Sequence, residues 1–152
     1  MKNILQQMNY EREQQSIQGL RNRMKDYTFI NTCEYNKVAY DVDGFCSVDF
    51  IILKDNQVKC FLEVRTRDKI EQYNSLFLGV KKIDNMSKSF RNTVVLWFDK
   101  HNLENVYGLK YNDELQNCNI AKSLKGVLTR MIPKHHMIKG LDDICDMLRT
   151  ME

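Results

Sequence analysis

A single proline, Pro133, occurs in 152 residues, and no Gly/Ser-rich or low-complexity stretch interrupts the chain. Nothing therefore marks a linker, and no internal repeat is visible. A single domain over residues 1–152 is expected. No apolar run approaches the roughly 18 residues that a bilayer-crossing helix needs, so no membrane association is expected. The opening stretch MKNILQQMNYEREQQ lacks the apolar segment of a secretory signal. Cys33, Cys46, Cys60, Cys118 and Cys145 are odd in number and widely spread, with no C-x-x-C pair. Neither a zinc ribbon nor a thioredoxin-like motif can be built from them. Free thiols in such a pattern point to a reducing, cytoplasmic setting. The chain also lacks a Gly-rich phosphate loop and a G-x-S-x-G nucleophile elbow.

What is present is ordinary globular composition, 43% apolar and 28% charged, which excludes a disordered or collagen-like chain. Twenty-three Lys and Arg stand against 20 Asp and Glu, a net charge of +3 and a pI near 8.5. That balance permits nucleic acid as a partner, short of the pI above about 9 typical of strong electrostatic binders.

Hydrophobic spacing predicts the elements. Tyr10, Glu13, Ile17, Leu20 and Met24 form one stripe of a helix over 10–25. Strands are expected over 35–43, 47–53 and 58–65. A second amphipathic helix is expected over 69–87, with Ile70, Tyr73, Leu76, Phe77, Val80 and Ile83 on one face. The run TVVLWF at 93–98 reads as a strand buried on both faces, with Trp97 in the core. A further strand is expected at 106–111 and helices at 114–130 and 140–150. The order α-β-β-β-α-β-β-α-α implies an α/β fold, a mixed sheet with helices on both faces.

The hairpin of strands 47–53 and 58–65 concentrates the chemistry. If Asp49 stands opposite Glu63, one face carries only Val48, Phe50, Ile52, Val58, Cys60, Leu62 and Val64. The other face is apolar near the turn and ends in Asp49, Glu63 and Arg65. A one-residue slip would mix carboxylates and apolar residues on both faces, so the segregated register is preferred. It calls for an odd loop such as Asp55–Gln57, closed by Lys54 and Val58, or for a bulge. Two adjacent carboxylates are electrostatically costly, and oxygen-only ligands suit Mg²⁺ or Mn²⁺.

The pattern V-D-F-I-I-L … C-F-L-E-V-R resembles the PD-(D/E)XK nuclease superfamily, the restriction-endonuclease-like fold shared with Holliday-junction resolvases. Residues 10–99 follow that family's α-β-β-β-α-β order, with residues 106–150 as a C-terminal addition. The resemblance implies a metal-dependent endonuclease, a hydrolase of DNA phosphodiesters. It makes Asp49 and Glu63 metal ligands, with the backbone carbonyl of Val64 as a third. Arg65 falls where the family carries lysine, and Val48 where it carries proline. Arginine keeps the charge and can clamp a phosphate, but it does not deprotonate to act as a base. Lys81, flanking the stripe of the 69–87 helix, is then the candidate replacement lysine, with Lys82 pointing almost opposite. Glu13 lies on a stripe that is otherwise buried, where a lone carboxylate is expensive. The resemblance gives it a role in completing the metal site.

Arg65, Arg67, Lys69, Lys88 and Arg91 form a basic neighbourhood able to meet a phosphate backbone. DNA is expected ahead of RNA. A duplex cut on both strands needs two sites, which a homodimer would supply. The alternative reading is a non-catalytic nucleic-acid-binding or assembly protein on the same fold, its chemistry weakened by the loss of lysine.

Overall fold

The computed structural model describes residues 4–31, 49–89, 91–123 and 125–151. The expected strand at 35–43 and the proline-position residue Val48 lie outside these residues.

Strand formation is strongest where burial is two-sided. Thr93 to Phe98 are all buried and form most of β5 (Thr93–Asp99). Beside it runs the long β3 (Gln57–Arg67), parallel to β5, with Glu63 opposite Val95 and Arg65 opposite Trp97. β2 (Phe50–Lys54) pairs antiparallel with β3, and β1 (Thr28–Asn31) pairs antiparallel with β2. On the far side, β6 (Asn102–Lys110) pairs antiparallel with β5, and the short β9 (Ile138–Lys139) with β6. The result is a six-stranded mixed sheet in the order β1-β2-β3-β5-β6-β9.

One face of this sheet is covered by helices. α1 (Ile4–Ser16) and α2 (Gln18–Arg23) meet at Ile17, and α4 (Leu141–Arg149) closes the chain. Ile17, Leu20, Ile144 and Leu148 pack there on Phe50, Ile52, Leu62, Val94, Leu96 and Phe98. Gly108 lets α4 approach β6: a Cβ there would stand 2.9 Å from Leu96 Cδ2 and 3.1 Å from Ile144 Cγ1.

The other face carries a second, three-stranded sheet. It consists of β4 (Ser75–Gly79), β8 (Leu128–Pro133) and β7 (Asn119–Lys122), all antiparallel in the order β4-β8-β7. β4 runs directly into the helix α3 (Val80–Ser87). Leu76, Leu78, Ile83, Met86 and Ile132 pack on Val95, Trp97, Tyr107 and Leu109. Trp97 is fully buried and donates its indole N–H to the Phe77 carbonyl at 3.1 Å, tying β4 across β5.

The chain is mixed α/β, as expected, but two helices differ from expectation. Residues 69–87 hold a 3₁₀ turn (Ile70–Gln72), then β4, and only then α3. Residues 114–130 hold the end of a 3₁₀ turn (Asp113–Asn117) and the β7–β8 hairpin. The first helix divides at Ile17, and β1 adds a strand at 28–31. α4 presents the expected Leu141, Ile144, Cys145 and Leu148 to the core.

Candidate functional site

The β2–β3 hairpin turns on two residues, Asp55 (φ 53°) and Asn56 (φ 62°), both left-handed. Short polar side chains tolerate that region, and the geometry matches the right-handed twist of the strands. Lys54 then faces Gln57 and Leu53 faces Val58, one residue short of the register that segregates the faces. A bulge restores it, with Lys59 as the extra residue. Ile52 is opposite Cys60, Ile51 opposite Phe61, and Phe50 opposite Leu62. The expected odd loop is thus replaced by an even turn plus a bulge. At the far end of the hairpin the segregated register holds as far as Phe50 and Leu62, and Asp49 lies close enough to Glu63 for its charge to act on that carboxyl.

Asp49 stands where the β2 ladder ends. Its backbone N–H donates to the Leu62 carbonyl at 3.0 Å, and its Oδ2 accepts from the Val64 N–H at 2.7 Å. A strand residue points its N–H and C=O to the same neighbour. The Val64 carbonyl therefore also faces the side on which Asp49 lies.

Glu63 points to the opposite face from Leu62 and Val64, the face that carries Phe61, Arg65 and Arg67. It is the only buried charged side chain among the described residues, 3% exposed. Arg65 Nη2 lies 3.2 Å from its Oε1, and Lys82 Nζ lies 3.4 Å from its Oε2. That contact is an ion pair without hydrogen-bond geometry, and the buried Arg65 Nε likewise has no hydrogen-bond partner among the described residues. Burial, and then the neighbouring Asp49 charge, push the Glu63 carboxyl up to about 7 against the pull of Arg65 and Lys82. The cluster sets two carboxylates against two cations, with Glu63 buried and Asp49, Arg65 and Lys82 partly exposed. Among the described residues, no three His, Cys, Asp or Glu side chains come together as a ready metal-ligand group.

The lysine that reaches Glu63 is Lys82, and Lys81 is exposed. The expectation takes its helical phase from Ile70 to Phe77, which form a 3₁₀ turn and the start of β4 rather than part of α3. In α3 the buried residues are Ile83 and Met86. Lys82 stands one turn before Met86 on that inner face, and Lys81 turns outward. Glu13 is partly buried on α1 and accepts from Asn31 Nδ2 at 3.1 Å. Asn31 is itself buried and pairs across the ladder with Phe50, the residue after Asp49. Glu13 thus approaches the Asp49 end of β2 from the α1 side, whereas Glu63 faces the second sheet. Arg67, Lys69, Lys88 and Arg91 are all exposed, and none is ion-paired to a carboxylate among the described residues. They bracket the segment that joins β3 to β5.

Two members of this constellation were not foreseen from the sequence, Lys82 and Asn31. The break at Gly79, where β4 passes into α3, was the available signal for Lys82. No known protein-family model matches the chain, and no curated protein matches it in sequence.

Proposed function

We propose that this protein is a metal-dependent endonuclease acting on DNA, on a restriction-endonuclease-like core. The observation that carries the reading is the closeness of Asp49 to the buried Glu63, beside Arg65 and Lys82. The antiparallel β1-β2-β3 order, with β5 parallel to β3 after the inserted β4 and α3, supports it.

The donor set fits a hard divalent cation. Glu63 has an oxygen without a hydrogen bond among the described residues, and a carboxyl poised between its protonated and ionised forms near neutrality. Asp49, Glu63 and the Val64 carbonyl are all oxygen donors of the kind Mg²⁺ or Mn²⁺ prefers. When bound, such an ion would supply Lewis-acid polarisation of a phosphodiester and a water of lowered pKa. The chain's own residues do the rest. Arg65 offers a planar fork of donors to a phosphate while one nitrogen holds Glu63. Lys82 brings to Glu63 the ammonium that the family pattern would place at position 65. Val64 fixes the Asp49 carboxylate through its N–H.

The direct test incubates the protein with branched, duplex and single-stranded DNA and with RNA, in Mg²⁺ or Mn²⁺, with and without EDTA. Cleavage of DNA that EDTA abolishes is expected. Intact substrates under every condition would overturn the reading. Arg65 in the lysine position favours one alternative, a nucleic-acid-binding protein on the same fold, which would bind these substrates and leave them whole.

A further inference from the structure

Positive charge is unevenly distributed along this chain. From Leu115 to Leu141 there is no Asp or Glu, while Lys122, Lys125, Arg130, Lys134 and Lys139 all fall in that stretch. The remainder has more carboxylates than cations, so the net positive charge resides here. Lys139 is neutralised by Glu71 at 3.0 Å. Arg130 and Lys134 bond to neutral carbonyls, of Cys118 and Ile70, and have no carboxylate partner among the described residues. Lys122 and Lys125 are exposed and have no carboxylate partner among the described residues.

The same stretch holds unusual apolar exposure. In the β7–β8 ladder Ile120 is opposite Arg130 and Lys122 is opposite Leu128. These four share the face that, farther along the second sheet, buries Leu76, Leu78 and Ile132. Ile120 and Leu128 are nonetheless 53% and 51% exposed. The hairpin therefore overhangs the core and presents a face on which apolar and cationic side chains alternate.

Its position relates it to the candidate site. Gly79, Thr129 and Ala121 lie side by side at one end of the second sheet. From that end β4 continues into the first turn of α3, which carries Lys82 to Glu63, and β7 and β8 continue into the hairpin tip.

We infer that the β7–β8 hairpin is an arm that grips the backbone of a nucleic acid. Lys122 and Lys125 lie against phosphates, and Ile120 and Leu128 against sugars or bases. A polyanion with apolar ring faces is the partner whose chemistry answers alternating cations and aliphatic side chains. The placement of that nucleic acid at Glu63 rests on the nuclease reading, whereas binding by the arm does not require cleavage.

The test uses the full chain in EDTA, where binding is read without cleavage. Fluorescence anisotropy with labelled duplex DNA, single-stranded DNA and RNA is followed over a range of salt. The double variant Lys122→Ala/Lys125→Ala should weaken binding at every salt concentration. It should also flatten the slope of log K against log salt by about 1.4 to 1.8, two phosphate contacts at roughly 0.7–0.9 each. Leu128→Ala should weaken binding and leave the slope unchanged. Matched thermal unfolding of the variants shows that the fold is intact. If the wild type binds, the double variant loses this slope and no metal supports cleavage, the arm stands and the nuclease reading falls. If the wild type cleaves DNA and the double variant keeps wild-type affinity and slope, the arm is overturned and the nuclease reading stands. A wild-type dimer that Leu128→Ser dissociates, with nucleic-acid binding unmoved, also overturns it and makes the face a contact between copies.

Discussion

The backbone N–H of Val64 donates to Asp49 Oδ2 at 2.7 Å, so the first candidate metal ligand also completes the hydrogen bonding of the strand that carries the second. Among the described residues β2 has no ladder pair beyond Phe50, and the Asp49 carboxylate accepts the Val64 N–H. Position 49 therefore has a structural duty and, in the proposed reading, a chemical one.

These duties separate by substitution. Asp49→Asn retains an oxygen acceptor for Val64 and should unfold within about 0.5 kcal/mol of wild type. Asp49→Ala leaves that N–H without its acceptor and should cost about 1–3 kcal/mol. Both should lose metal-dependent cleavage. Urea unfolding beside a cleavage assay checks this, and an active Asp49→Asn would remove the residue from the chemistry.

Glu63 makes a prediction about stability and pH. Its carboxyl rises from 4.5 to about 7 in the folded protein, chiefly through burial and then through Asp49. A folded pKa above the unfolded value means that the protonated side chain favours the fold. That contribution is complete below 4.5 and is lost as pH rises through about 7. Its size is about 3 kcal/mol. Glu63→Gln should match wild type near pH 4, exceed it above pH 8, and show a flatter stability profile between them. Mg²⁺ should raise the melting temperature of wild type at pH 8 and leave that of Glu63→Gln unchanged. Superimposable pH profiles would contradict the buried, pKa-shifted carboxyl.

The parts of this site legible in the sequence are those set by a face. A slip of one residue would have put Glu63 and Arg65 on the face of Phe50 and Ile52, so the register that sets Phe50 against Leu62 followed from the side-chain pattern alone. The turn did not, because a two-residue turn with a bulge at Lys59 and a three-residue loop deliver the same far end. β4 was illegible for another reason. Leu76 and Leu78 alternate with the exposed Phe77 over one short strand, while Ile70, Leu76, Val80 and Ile83 also fit a helical stripe. The Trp97 bond to the Phe77 carbonyl, which helps hold β4 in place, joins residues far apart in sequence. The wrong element gave the wrong phase, and Lys81 was preferred to Lys82 on that account.

Arg65 tests whether arginine suits the site or is merely tolerated there. Its guanidinium serves Glu63 with one nitrogen and leaves others for a phosphate. Arg65→Ala should weaken both binding and cleavage. Arg65→Lys should lose the two-pronged contact, raising KM, while kcat holds or rises because an amine replaces a group that does not give up its proton. A dead Arg65→Lys with unchanged binding would show that the planar fork itself is needed in the reaction.

The two neighbouring lysines of α3 discriminate between the observed packing and the helical phase expected from sequence. Lys81 is exposed, and Lys81→Ala should leave cleavage and stability unchanged. Lys82 Nζ is 3.4 Å from Glu63 Oε2, and it holds the Glu63 carboxyl lower than burial alone would. Lys82→Ala should therefore raise that pKa further. Ionised Glu63 is the form that accepts a cation, so wild-type cleavage should climb as pH passes about 7. In Lys82→Ala the same climb should begin at higher pH. Lys82→Arg should restore the wild-type midpoint, since it keeps the charge. The plateau then decides the role. If Lys82→Ala reaches the wild-type rate at high pH, Lys82 is a positioning residue that acts through Glu63. If its rate stays low at every pH while Mg²⁺ still raises the melting temperature, the ammonium takes part in the reaction itself, as the lysine of the family pattern would. An inactive Lys81→Ala beside an active Lys82→Ala would contradict the placement of α3 against β3.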